Sequence, residues 1–189
     1  MKEIIFMVEE ASMKEALTLI LPDLIPESIQ ARIIKHQGKS DLEASIPRKL
    51  RAWANPNARF IVLRDNDGGD CRALKAKLKG ICEDQGQGEA LIRIVCQELE
   101  SWFLGDLKAV ELSGLSADRN ISAKVGKEKF RDPDALGNAK QELVQLAPRY
   151  RPLSGSRAIA RHMDQTRNRS NSFNIFLSGV RTVITQLEG

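Results

Sequence analysis

The stretch Arg59-Phe60-Ile61-Val62-Leu63-Arg64-Asp65-Asn66-Asp67-Gly68-Gly69-Asp70-Cys71 decides the fold. Its first five residues form the short, apolar-rich run expected of a strand covered on both faces. Acids and glycines follow at once, and Asp70 is placed to cap a helix carrying Leu74, Leu78 and Ile81. The chain therefore passes from a buried strand, through an acidic loop, into a helix.

The same order recurs on either side. Ile4-Ile5-Phe6-Met7-Val8 reads as a first buried strand. Ser12, with Glu15 three residues on, forms a capping box for a helix carrying Ala16, Leu17, Leu19 and Ile20 that Pro22 ends. Ala31 to Lys35 is the second strand and Gly38 turns the chain. Asp41 onward is helical through Trp53, with Pro47 expected to break or kink it. Leu91 to Val95 is the fourth strand, and a helical segment starts near Glu98. The pattern βαβαβαβα predicts an α/β fold: a mostly parallel four-stranded sheet flanked by helices, with its ligand crevice at the carboxyl ends of the strands.

From about Leu107 the chain reads as helical and more polar, with a loop from Ser113 to Arg131 and a helix from Asp134 to Leu146. In the last helix, which Ser172 can cap, Phe173, Phe176, Leu177, Val180, Val183, Ile184 and Leu187 recur on one face as a core stripe. The division expected is an α/β domain over residues 1–105 and a helical extension over 106–189 packed on it.

Composition sets the class. The 189 residues, 42% hydrophobic and 29% charged, suit a globular chain, and Gly and Pro are neither abundant nor periodic. No apolar run approaches a membrane span, and Met1-Lys2-Glu3 leads directly into a strand, so a cytoplasmic protein without membrane contact is expected. Cys71, Cys82 and Cys96 have no CxxC spacing and read as reduced thiols. Charge is uneven: residues 1–100 hold 15 basic and 16 acidic side chains, and residues 101–189 hold 14 and 9. Arg149, Arg151, Arg157, Arg161, Arg167, Arg169 and Arg181 face only Asp164 in their segment, a pattern suited to nucleic-acid phosphates, with solvated helix faces as the competing reading.

Acids gather at the predicted carboxyl edge: Glu9 and Glu10 after the first strand, Asp65, Asp67 and Asp70 after the third, Glu98 and Glu100 after the fourth. If the third strand runs on to Asp67, its period of two sets Asp65 and Asp67 on one side, where they can share a hard cation. Oxygen donors of this kind suit Mg²⁺ or Mn²⁺. The competing readings are that Asp70 is a helix cap, Glu10 is solvent-facing, and Glu98 and Glu100 complement a helix dipole. His36 and His162 are singletons, read as surface or hydrogen-bonded side chains, and Cys96 as a core residue.

Glu9 ending the first strand and Asp65-Asn66-Asp67 ending the third resemble the Toprim fold over residues 1–105. Val8-Glu9-Glu10-Ala11-Ser12, Arg64 to Cys71, Glu98 to Asp106 and Ser172-Phe173 further resemble a bacterial family of small stand-alone Toprim-like proteins. That family carries a domain-of-unknown-function label and accompanies ATPases in defence or mobile-element loci. The resemblance implies metal-assisted phosphoryl chemistry, with Asp65 and Asp67 holding Mg²⁺ or Mn²⁺ and Glu9 acting as general acid or base or as a further ligand. Asp70, Glu98 and Glu100 are additional metal candidates. Glu10 departs from the common pattern, in which Gly follows the catalytic Glu. Tyr150, the sole tyrosine, sits among arginines, and the chain lacks the length of a topoisomerase strand gate.

Two functions stay open on the sequence. One is a metal-dependent nuclease or phosphodiesterase whose Arg149, Arg151, Arg157, Arg161, Arg167 and Arg169 position DNA or RNA, acting as an effector with an ATPase in phage defence or a mobile element. The other is a non-enzymatic regulatory subunit of an ATPase complex. A homodimer is compatible with either.

Overall fold

The computed structural model describes residues 1–189. Four strands, β1 (Lys2–Val8), β2 (Ile29–Lys35), β3 (Ala58–Asp65) and β4 (Leu91–Val95), form one all-parallel sheet in the order β2-β1-β3-β4. Helices α1 (Ala11–Ile20), α2 (Lys39–Ala52) and α3 (Cys71–Glu83) make the crossovers. α4 (Leu99–Leu104), α5 (Leu107–Leu112), α6 (Ala139–Leu146), α7 (Pro152–Ala160) and α8 (Asn171–Glu188) follow β4. Because β2 lies on one side of β1 and β3 on the other, the strand order reverses beside β1. The carboxyl ends of β1 and β3 therefore flank the crevice at which open parallel sheets place their ligands.

Alternation along the strands divides the core. Ile5, Met7, Phe60, Val62 and Ile92 point to one face, where they pack with Leu42, Ile46, Leu50, Leu78 and Cys82 of α2 and α3. Ile4, Phe6, Val8, Ile61 and Leu63 point to the other, into a larger core built by α1, α4, α5, α7 and α8. Trp102 joins the two chain segments there: its ring lies 5.0 Å from Phe173 and 5.1 Å from Phe176, and its Nε1 donates to Ser172 Oγ at 2.9 Å. The apolar stripe of α8 is buried, as its spacing predicts.

Several local expectations are corrected. Glu10, not Ser12, occupies the cap position of α1, and Ser12 Oγ lies 3.5 Å from Glu10 Oε2. α2 begins at Lys39 and runs unbroken through Pro47, because Leu42, Ile46 and Leu50 anchor it on both sides of the proline. The helix expected from Asp134 begins only at Ala139, after a 3-10 turn over Pro133–Ala135, since proline suits a first turn but Gly137 then interrupts the run. Ser170 rather than Ser172 caps α8, accepting the Phe173 amide at 3.1 Å. Finally, β3 ends at Asp65, so Asp67 does not share a strand face with it.

Candidate active site at the carboxyl edge

Register sets the height of each acid. Val8 pairs with Leu63, so Glu9 comes level with Arg64, while Asp65 pairs with Val95 at the end of β4. By alternation Glu9 and Arg64 continue the face of Met7 and Val62, and Asp65 continues the face of Leu63. Glu9 Oε2 and Arg64 Nε lie 3.8 Å apart, too far for a hydrogen bond, and both atoms are buried without a hydrogen-bond partner. Arg64 is held by Glu43, which also accepts from Lys77 at 2.7 Å.

Beyond Asp65 the chain turns sharply. Asp67 adopts φ +49° and Gly68 φ +77°, a left-handed turn that aspartate tolerates and glycine favours. Asn66, between the two acids, fastens this loop to the end of β4. Its backbone N–H donates to Val95 O at 3.1 Å, its Oδ1 accepts from the Gln97 amide, and the Asp67 N–H donates to Gln97 O at 3.1 Å. Asp67 is thereby exposed, paired with Lys39 at 3.3 Å, and it lines a cleft of about 300 Å³ with Gly68, Gln97, Glu98 and Gly137, none of them hydrophobic.

On the opposite face Glu100 is buried and accepts from Tyr150 Oη at 2.9 Å. Tyr150 is held by Ser156 and by close approach to Gly155, where a Cβ would stand 2.4 Å from its ring. This tyrosine is thus a buried support for a carboxylate, and its hydroxyl pKa is raised by burial and by Glu100. Sequence reasoning placed it among arginines and missed this role, as it missed Lys39, Glu43 and Arg64. Lys39 and Glu43 come from α2, and Arg64 follows the apolar run of β3.

The electrostatics join the two faces. Asp65, half-buried, has its carboxyl pKa held well above the usual range by burial first, then by the charges of Glu9, Glu100 and Asp67, against one amide bond from Leu99 at 3.3 Å. Glu9 is raised by burial and by Asp67, with Arg64 opposing. Glu100 is raised chiefly by burial. Glu9 Oε2 has no hydrogen-bond donor, its nearest cation being Arg64 Nε at 3.8 Å, and the acids of this edge outnumber the basic groups beside them. All-oxygen donors fit a hard divalent ion. The carboxylates share a field but no three of them close on one point, because Glu9 and Asp65 leave the sheet on opposite faces and Lys39 draws Asp67 outward.

Other expected residues lie apart. Asp70 caps α3, with Oδ1 accepting from the Arg72 and Ala73 amides, and Glu98 Oε1 accepts from the Lys140 amide at 2.6 Å. Most of the arginines expected to form a phosphate surface have partners within the chain. Arg167 is bidentate on buried Asp106, Arg157 pairs with Glu15, and Arg149, Arg151 and Arg169 donate to backbone carbonyls. His36 is buried, with Nδ1 2.9 Å from Val8 O, and burial lowers its pKa. No helix is long and apolar enough to cross a membrane.

Residues 8–181 match the profile of DUF4276, a domain of unknown function. No curated protein matches the chain significantly. Among solved structures, the C-terminal region of the Burkholderia pseudomallei OLD protein superposes with a TM-score of 0.61, covering 98% of this chain and 98% of that one at 16% identity. At such identity the likeness is one of fold, and it agrees with a Toprim-like parallel sheet carrying a C-terminal helical extension.

Proposed function

The chain belongs to the DUF4276 family, and from that premise we propose that it is a Mg²⁺- or Mn²⁺-dependent nuclease or phosphodiesterase of Toprim type, an effector that works with an ATPase in a defence or mobile-element system. One observation carries the reading: Asp65 is crowded by Glu9, Glu100 and Asp67 at the strand-order reversal, and Glu9 Oε2 is buried there without a donor. A folded chain rarely retains such repulsion unless something cationic uses it.

Glu9, Asp65 and Asp67 are the acids proposed to hold the ion, which requires Asp67 to leave Lys39 and turn inward, since no three carboxylates converge in the metal-free chain; Glu98 lies on the wall of the same cleft as Asp67. With the ion bound, the chemistry supplied is charge neutralisation at the scissile phosphate and acidification of a water. Glu9, its pKa raised by burial, is suited to move a proton at its unpartnered Oε2. Lys39, exposed beside Asp67, can contact an adjoining phosphate. Of the arginine set, only Arg157 and Arg167 are paired with carboxylates, which leaves the guanidinium charges of Arg149, Arg151, Arg161 and Arg169 available to a polyanion. The solved neighbour is itself the C-terminal region of a larger protein, an arrangement compatible with a partner for this chain.

Incubation of purified protein with single- and double-stranded DNA and RNA, in Mn²⁺, Mg²⁺ or EDTA, tests the reading. Cleavage that requires the ion and disappears in both Asp65→Asn and Asp67→Asn is expected. Undiminished cleavage by both variants overturns the assignment, and silence in every lane favours a non-enzymatic subunit.

A further inference from the structure

Two of the three cysteines meet beside the acidic loop. Cys71 is the first residue of α3, and Cys96 follows the last residue of β4. Both are half-buried and line one cleft of about 210 Å³, together with the basic side chains of Arg72, Lys75 and Arg93. Cys82 is buried away from them on the α2–α3 face of the sheet. Asn66, the middle residue of the Asp65–Asp67 motif, bridges the pair: its Nδ2 donates to Cys71 Sγ at 3.1 Å and to Gly69 O at 2.9 Å, and its Oδ1 accepts from Gln97, the residue after Cys96. The Cys71 sulfur is thus tied directly to the clasp that sets the position of Asp67, and Cys96 precedes the Gln97 amide that completes it.

We propose that Cys71 and Cys96 are a redox-active dithiol whose disulfide resets the acidic loop through Asn66. The chemistry needs a peroxide as oxidant. The Cys71 sulfur, which receives the Asn66 amide, attacks a peroxide oxygen to give a sulfenic acid and release water or alcohol. The Cys96 sulfur then attacks the sulfenic sulfur, an S–S bond forms, and a second water leaves with the remaining thiol proton. Two thiols and one hydrogen peroxide thus become one disulfide and two waters. Forming the bond draws Cys71 Sγ out of the Asn66 hydrogen bond, and the loop that presents Asp67 loses one of its fastenings. The dithiol stands on the geometry alone, whereas its effect on metal binding rests on the function proposed above.

The test is peptide mapping of the full chain after hydrogen peroxide treatment, with Cys71→Ser and Cys96→Ser variants as controls. A 2 Da loss, a Cys71–Cys96 linked peptide, one remaining titratable thiol and reversal by dithiothreitol are expected, with no link in either variant. Three titratable thiols, or unlinked sulfinic acids, overturn the dithiol. Thermal melts with Mn²⁺ on the reduced and oxidised wild type read the coupling. A smaller Mn²⁺-induced shift in the oxidised form, restored on reduction, is expected, and equal shifts overturn the coupling. If neither form responds to Mn²⁺ while the linked peptide is found, the metal reading fails and the dithiol stands.

Discussion

Two acidic sites in this molecule are built in opposite ways. Asp106, fully buried between α4 and α5, has both oxygens occupied: Arg167 binds it bidentately at 2.8 and 2.9 Å, and the amides of Ala109 and Asp164 complete it at 3.1 and 2.9 Å. Asp65 receives one amide at 3.3 Å and lies in the field of three other carboxylates. Since the same chain satisfies Asp106 so fully, the deficit at Asp65 is a property of that location. A buried charge with all its partners fastens a structure, and a crowded, under-partnered one at a ligand crevice belongs to a site.

Breaking the satisfied site gives the largest effect on stability. Asp106→Ala leaves Arg167 without its carboxylate and frees two amides, and denaturant unfolding should show a loss of about 3 kcal/mol. Asp65→Asn acts in the other direction. Removing one charge from the cluster relieves repulsion while the amide oxygen still accepts from Leu99, so the metal-free variant should be more stable by about 1 kcal/mol, a rise of about 3 °C by calorimetry for a chain of this length. That gain should accompany loss of cleavage, the trade expected where a site stores repulsion.

The pH dependence sharpens the contrast. Asp65 has a folded pKa raised above its unfolded value, so the folded chain binds this proton more tightly, and stability falls as pH rises from about 4 through the raised pKa. The melting difference between Asp65→Asn and wild type should therefore be near zero at pH 4 and greatest near pH 7. A difference independent of pH would place the stabilisation elsewhere. The smallest effect is expected at Lys39, whose ion pair with Asp67 is exposed. Lys39→Ala should change metal-free stability by less than about 0.5 kcal/mol, yet it should increase the thermal shift produced by Mn²⁺, because the cation competing for Asp67 is gone.

Much of this arrangement was legible in the sequence. β4 matches its apolar run residue for residue, and β1 and β3 exceed theirs only at the ends, because strands buried on both faces leave continuous apolar signals. The order of acids after those strands placed Glu9, Asp65 and Asp67 at one edge. What escaped depends on long-range packing. Nothing local distinguishes Ser170 from Ser172 as a cap: Asp134 accepts from both hydroxyls, and the difference is made by Trp102, whose indole N–H donates to Ser172 Oγ. The left-handed turn at Asp67 follows from the β4 clasp rather than from strand periodicity. The arginine-rich segment looked like free charge because its partners Asp106, Glu15 and the Gly114 and Val125 carbonyls lie from 35 to 142 residues away.

The central claim is that the carboxyl edge lacks a positive charge that a divalent ion supplies. Isothermal titration of Mn²⁺ into wild type and Asp65→Asn near pH 7 tests it most directly. Saturable binding by wild type, weakened at least about tenfold in Asp65→Asn, is the result predicted, corresponding to about 1.4 kcal/mol or more. Absence of binding to wild type, or equal affinity in the variant, would contradict it.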